Sequence, residues 1–344
     1  MAVSAAWARS AATLILLALF GLAGCSSDDQ DDHTGSTAAG EPESAYPVSI
    51  ESALGTADIE TEPERIVTIG RGTADIVVAL GHTPVGIEED TWSGDEQGYN
   101  PWFREAIDAA GGELPATFTA QPEIDMDAIV ELDPDVILAP QSGITQDDFD
   151  LLNDLAPTVA YPEEAWGTPW DTTIELVGEA LGQSDEAAAL IDEIDAQFAE
   201  VAAEHPEFDG VTFAYIYASE PGALGVMQPY EPRATFVSKL GLTPAPFIED
   251  LPISEGTASS EIGLENADML DDTDVVINWF SDAEQQAEIE AQPLYAQIPA
   301  VERGSYVVNY DRPFVTATSL LTPLTVPWVI DDYADQLAEA VAQL

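Results

Sequence analysis

SDEAAALIDEIDAQFAEVAAEH, residues 184–205, is the stretch on which the architecture of this chain turns. Leu190, Ile191, Ile194, Phe198, Val201 and Ala202 recur at three- and four-residue intervals, the spacing of a single helical face. Ser184 reads as the N-cap, Asp185 and Glu186 sit where the positive end of a helix favours acid, and Pro206 stops the run. The pattern predicts one unbroken helix of about 20 residues, ~30 Å long.

On either side of that helix the chain alternates short β-branched runs with helical patterns. Upstream, IVTIG (66–70), VGI (85–87), DVILA (135–139) and TVAY (158–161) read as strands, with helices near 73–80, 101–110, 125–132 and 146–155. Downstream, TFAYIYA (212–218), DVVINW (274–279) and SYVVNY (305–310) read as strands. Helices are expected there near 234–240, 262–270 and 283–296, with a final amphipathic helix over 323–343. Alternation of this kind predicts an α/β fold: two Rossmann-like lobes with mostly parallel sheets, joined by one long backbone helix. The halves also echo each other. Met126-Asp127-Ala128-Ile129 precedes LDPDVILA, and Leu264-Glu265-Asn266-Ala267 precedes DDTDVVIN.

The N-terminus carries an address. Arg9 supplies a short positive region and residues 11–22 an apolar run, too short for the roughly 20 residues a membrane helix needs. Leu22-Ala23-Gly24-Cys25 resembles the bacterial lipobox, which implies cleavage before Cys25, lipidation of its sulfur and acylation of the new amino terminus. Several acyl chains hold a protein on a membrane where one does not, at about 0.8 kcal/mol per buried methylene. Residues 1–24 are thus expected to be a signal peptide and 25–46 an acidic flexible tether, too polar to bury a core. Residues 47–183 form the expected N-terminal lobe, 184–205 the helix between lobes, and 206–344 the C-terminal lobe. Cys25 is the chain's only cysteine, so no intramolecular disulfide is available.

Charge narrows the partners. The chain has 65 Asp and Glu against 8 Lys and Arg, a formal net charge of −57, with Lys239 its single lysine. Repulsion excludes nucleic acid. Self-repulsion at this density is tolerable near 1 M salt, where the Debye length falls to roughly 3 Å, so a saline habitat is expected, with an alkaline one as the alternative.

PERIVTIGRGTADIVVALGHTPVGI (63–87), IDMDAIVELDPDVILA (124–139) and LAPTVAYPEEAWGTPWDTTIELVGEALG (155–182) together resemble the helical-backbone class of ABC-importer substrate-binding proteins, in its iron-siderophore and cobalamin group. FVSKLGL (236–242), IGLENADMLDDTDVVI (262–277) and PLYAQIPAVERGSYVV (293–308) continue the resemblance, which covers nearly everything after about residue 47. It implies a lipid-anchored protein on the extracytoplasmic face of the cell membrane. Such a protein captures a ferric siderophore between two lobes and passes it to the membrane permease of an ABC importer. A monomer that performs no chemistry is expected.

In open α/β sheets ligands sit outside the carboxyl ends of the strands. Arg71 follows IVTIG, Arg312 follows SYVVNYD, and Arg233 lies in the loop PYEPR before a helix. Guanidinium groups stay charged and fork onto paired oxygens, so these three either meet an anionic guest or pair with one of the many carboxylates. Arg65, Arg104 and Arg303 read as structural. Trp92, Trp279 and Tyr217 stand at strand ends, where flat side chains can cover a siderophore, while Trp166 and Trp170 are assigned to packing near the long helix. By the resemblance, Glu265 and Asp127 dock to arginines of the permease; Asp127 is one methylene shorter than the family's usual Glu.

Two other classes remain open. A cobalamin or haem binder would use the same lobes, and a secreted hydrolase could draw on the abundant acid. Against the enzyme, there is no G-x-S-x-G, no H-E-x-x-H and no cysteine within the expected lobes. His33, His82 and His205 are scattered, which argues against a direct transition-metal site and against His-ligated haem. Iron is therefore expected only as a preformed ferric-siderophore complex, with no cofactor and no protein ligands to the metal.

Overall fold

The computed structural model describes residues 45–254 and 256–344. The signal segment, Cys25 and the tether up to residue 44 lie outside the described residues. A short antiparallel hairpin, β1 (Val48–Glu51) and β2 (Thr56–Ile59), comes first and tucks Ile50, Ala57 and Ile59 into the core. The Tyr46 hydroxyl donates to the Ala180 carbonyl at 3.2 Å, so the folded body already includes this residue.

The β-branched runs then build a five-stranded sheet. Strands β3 (Ile66–Thr68), β4 (Gly86–Glu88), β5 (Ala116–Phe118), β6 (Val136–Leu138) and β7 (Thr158–Val159) run parallel in the order β5-β4-β3-β6-β7. Every residue of β3, β6 and β7 is buried, as helices on both faces require. Past the long helix, β8 (Thr212–Tyr217), β9 (Gly225–Met227), β10 (Thr243–Pro244), β11 (Ser259–Glu261), β12 (Val275–Trp279) and β13 (Tyr306–Asn309) form a second sheet. Its order is β11-β9-β8-β12-β13, with β10 beside the start of β8. Strands β8, β10, β12 and β13 are parallel, and only β9 and β11 run against their neighbours. In both sheets the first strand lies centrally, next to one reached by a later crossover, which is where strand order reverses and a crevice opens.

Local details differ from expectation at helix boundaries and in the shortest strands. The long helix spans Ser184–Glu204 with Gln183, not Ser184, at its N-cap. Residues 264–270 form a 3₁₀ segment broken at Asn266 rather than an α-helix. The helix expected over 283–296 is two, Ala283–Glu290 and Pro293–Ala296, because proline opens a helix and cannot continue one. Strands β5, β9, β10 and β11 and the hairpin carry too short a pattern to be read. Ser259-Ser260-Glu261 is a strand only because β9 offers it a ladder.

The main core runs without interruption through both sheets. Ile194, Phe198 and Val201 of the long helix pack in one cluster with Val77, Ile174 and Val177 on one side and Phe236, Tyr333 and Leu337 on the other. The last helix, Thr325–Val341, also reaches across: Trp328 meets Trp102 of helix Pro101–Ala110 with ring centres 5.4 Å apart. The described residues accordingly form one compact unit.

Phe198 is 2% exposed and edge-on to Phe236 at 4.7 Å. Phe198→Ala is expected to cost about 3–5 kcal/mol. Urea unfolding followed by far-ultraviolet circular dichroism and by tryptophan fluorescence checks this: both signals should shift together, because one core serves both sheets.

Candidate functional site

A cavity of about 640 Å³ opens between the carboxyl ends of the two sheets. From the first sheet come the loops after β3, β4 and β5. From the second come Trp279 at the end of β12, Arg233, and the segment 315–320. The turn Gly70-Arg71-Gly72 starts the wall. Gly70 has φ 92° and approaches Gln141 so closely that a Cβ would lie 2.2 Å from its carbonyl oxygen. The Arg71 N–H donates to that same carbonyl at 3.1 Å, which ties the loops after β3 and β6 across the crevice. The Gly70 N–H donates to Glu88 Oε2 at 2.7 Å. Burial pushes the Glu88 carboxyl above its ordinary value, against the pull of the Gly70 amide and Arg71.

Arg71 is exposed and lies 5.8 Å from the ring centre of Trp166. Trp166 has φ 60°, a backbone conformation that costs a bulky residue of order 1–3 kcal/mol. Its N–H donates to the Ser142 carbonyl at 2.9 Å, and its indole lies over Gly143, where any Cβ would come within 2.2 Å of the ring nitrogen. Trp166 therefore belongs to the cavity wall, a correction to its assignment as packing near the long helix; Trp170, with Lys239 Nζ 5.0 Å from its ring, keeps that role. The strand-end rule that found Arg71 would have found Trp166, because it follows β7.

The mouth is spanned by three side chains from opposite sheets. The Arg312 guanidinium lies 4.2 Å from the Trp92 ring centre, and Trp92 meets Trp279 edge-on at 6.0 Å. Trp92, 40% exposed, is presented by Asp90, whose carboxylate accepts from the amides of Trp92 and Ser93, the Ser93 hydroxyl and the Asn100 amide. Burial raises the Asp90 carboxyl, but the hydrogen bonds from Ser93, Asn100 and the Trp92 amide outweigh it and hold the group below its ordinary value. Arg233 is already engaged: its Nη1 lies 2.6 Å from Glu231 Oε1, while its Nε is buried without a partner among the described residues. Trp279 Nε1 is likewise buried and unpartnered.

The other expected residues fall into place unevenly. Tyr217 lies apart from the arginines, in an adjoining cavity of about 370 Å³ that shares Trp279. Its ring lies flat on Gly225, where any Cβ would be 2.0 Å away. Glu265 and Asp127 are both exposed, each the second residue of a short helical segment that feeds a buried strand. Arg65 donates to the Leu132 and Asp133 carbonyls, Arg104 pairs with Asp95, and Arg303 donates to the Asp274 carbonyl; all three are tied to the scaffold. Among the described residues no group of three or more His, Cys, Asp or Glu is placed to hold a metal ion, and no helix is long and apolar enough to cross a membrane.

Asp75, in the helix Thr73–Ala79, lies outside the residues that the strand-end rule selects. It is 5% exposed, lines the cavity floor and accepts from Trp102 Nε1 at 3.0 Å and from the Thr322 hydroxyl at 2.8 Å, joining residues 247 apart in the chain. Burial pushes its carboxyl up to about 7, although both hydrogen bonds oppose the rise. An unfolded chain releases this proton near pH 4, so between about pH 4 and 7 the folded state holds more protons and stability falls as pH rises. Asp75→Asn keeps an acceptor and removes the charge. It should raise the melting temperature by roughly 3–8 °C at pH 8, with the gain vanishing near pH 4. Thermal scans across that range check it, and a gain independent of pH would refute the titration of Asp75.

The comparisons with known proteins agree with this geometry. The family described as Periplasmic binding protein matches residues 66–311. The probable siderophore-binding lipoprotein YfiY of Bacillus subtilis is 29% identical over 184 residues, 53% of this chain and about half (51%) of that relative. The ferric enterobactin-binding periplasmic protein FepB of Escherichia coli is 23% identical over 269 residues, 75% of this chain and 82% of its own. Among solved structures, PiaA of Streptococcus pneumoniae in complex with ferrichrome superposes with a TM-score of 0.78 at 29% identity, covering 86% of this chain and 99% of that one. With two sheets facing one cavity and a family match running from the first parallel strand to the loop before Arg312, this chain belongs to the periplasmic binding protein family.

Proposed function

We propose that this protein is the substrate-binding subunit of an ABC importer and holds a ferric siderophore between its two sheets. The observation that carries the reading is the cavity of about 640 Å³ lined by Trp92 and Trp279, one from each sheet, with Arg312 stacked on Trp92 beside it. That volume lies within the roughly 300–1,000 Å³ of small-ligand sites. The names of the relatives support the ligand class, and the matched stretch spans about half the length of YfiY.

Capture involves no chemistry, and the protein is not an enzyme. The guest enters from the open side, Arg71 and Arg312 donate to its oxygens, and Trp92, Trp166 and Trp279 cover its apolar parts. Iron arrives already chelated, so no residue of this chain serves as its ligand. Glu265 and Asp127, one exposed on each lobe, then meet the permease, while acyl chains on Cys25 keep the monomer at the outer face of the membrane.

Tryptophan fluorescence of the full-length chain in mild detergent tests the reading. Titration with ferric siderophores should give saturable quenching, and Arg312→Ala should weaken binding roughly 3- to 30-fold, the range of a cation–π and hydrogen-bonding contact. Tight binding of cobalamin or haemin alone would overturn the ligand. A second expectation concerns delivery: Glu265→Arg combined with Asp127→Arg should leave chelate binding intact and stop iron uptake by cells, and unimpaired uptake would remove these two residues from docking.

A further inference from the structure

The walls of the cavity carry more acid than base. Asp75, Glu88, Glu89 and Asp90 line it alongside Arg71 and Arg233. Adding Arg312 at the mouth and Glu231 beside Arg233 gives three guanidinium groups against five carboxyl groups, of which Asp75, raised to about 7 by burial, carries only part of a charge near neutral pH. One of the three cations is cancelled by a direct ion pair, and the other two keep their charge. Arg233 is bound to Glu231 at 2.6 Å, Arg71 acts electrostatically on Glu88, and Arg312 lies over Trp92. Glu89 and Asp90, in contrast, are held by neutral donors. Asp90 takes its hydrogen bonds from Ser93, Asn100 and the Trp92 amide, and Glu89 from the Thr119 hydroxyl at 2.7 Å. Neutral donors stabilise a carboxylate without cancelling its charge, so its field persists in the cavity.

Resting on the function proposed above, we infer that the site selects a ferric chelate of zero or positive net charge, a trihydroxamate, over anionic tricatecholate or hydroxycarboxylate chelates. Three singly charged hydroxamates cancel the charge of Fe(III), and such a guest asks the walls only for hydrogen bonds and apolar cover. Three doubly charged catecholates leave a trianion, which would have to enter a wall already in carboxylate excess. The charge of the whole chain, −57, repels that trianion as well. Near 1 M salt this long-range field is screened to roughly 3 Å, and the partly buried carboxylates of the wall remain as the selective element. The relatives do not choose between the classes, since one is named for ferric enterobactin and another is solved with ferrichrome.

The test titrates the full-length chain in mild detergent with four probes: uncharged ferrichrome, cationic ferrioxamine B, trianionic ferric enterobactin and ferric citrate. Each is run at about 0.15 M and about 1 M NaCl. Ferrichrome or ferrioxamine B should bind about 100-fold tighter than the trianion at the lower salt, with part of the gap surviving at the higher. Asp90→Asn should narrow the gap about tenfold by improving binding of the trianion. Glu88→Gln and Glu89→Gln provide the same readout should Asp90→Asn disturb the turn that presents Trp92. Tightest binding of ferric enterobactin or citrate, or a gap unmoved by every one of these variants, overturns the selectivity and leaves the proposed function standing. Failure of all four probes to bind a chain that is folded by circular dichroism overturns the function and the selectivity together.

Discussion

Phe198 packs edge-on against Phe236, and Tyr333 closes on Phe236 from the other side at 5.5 Å. This aromatic cluster joins the long helix, the helix Pro232–Lys239 and the last helix, and the same core continues to the helices behind the first sheet. Everything at the cavity depends on it. The two walls are built on separate sheets, and a rigid shared core fixes their separation in a way that a flexible linker could not. Trp102 against Trp328 and Asp75 against Thr322 add two further ties, close to the cavity floor.

A second constraint is electrostatic. With seven cations after residue 25, few are left over once the scaffold is tied. Arg65, Arg104, Arg303 and Lys239 are used to tie backbone carbonyls and carboxylates, which leaves Arg71, Arg233 and Arg312 around the cavity. Of these, Arg233 is neutralised by its neighbour two residues away. Aromatic faces do much of the remaining work: Trp92 and Trp166 each lie under a guanidinium, an arrangement that holds a long side chain in place without an opposing charge.

Much of this is legible in the sequence. The α/β alternation, the helix near 184–204 and the buried parallel strands follow from periodicity, because a strand covered on both faces must be apolar along its length and an amphipathic helix must repeat near every third or fourth residue. Arg71, Arg233, Trp92 and Trp279 line the cavity and Arg312 stacks at its mouth, as the rule of carboxyl strand ends implies. Tyr217 obeys the same rule, yet the antiparallel β9 brings Gly225 beneath its ring and turns it into the neighbouring cavity. The polar strand β11 was invisible because its conformation is imposed by a partner.

The amino-acid sequence by itself determined the class of fold, the order of its elements, the overall charge and the set of residues available at the strand ends, since each depends on local pattern or on composition. Only the tertiary structure decided which guanidiniums are committed, that Trp166 rather than Tyr217 faces Arg71, and that Asp75 is buried between Trp102 and Thr322. The physical reason is range. Periodicity acts over a few residues, whereas the state of a charge is set by whatever the fold brings within a few ångströms, and for Asp75 that partner lies 247 residues away.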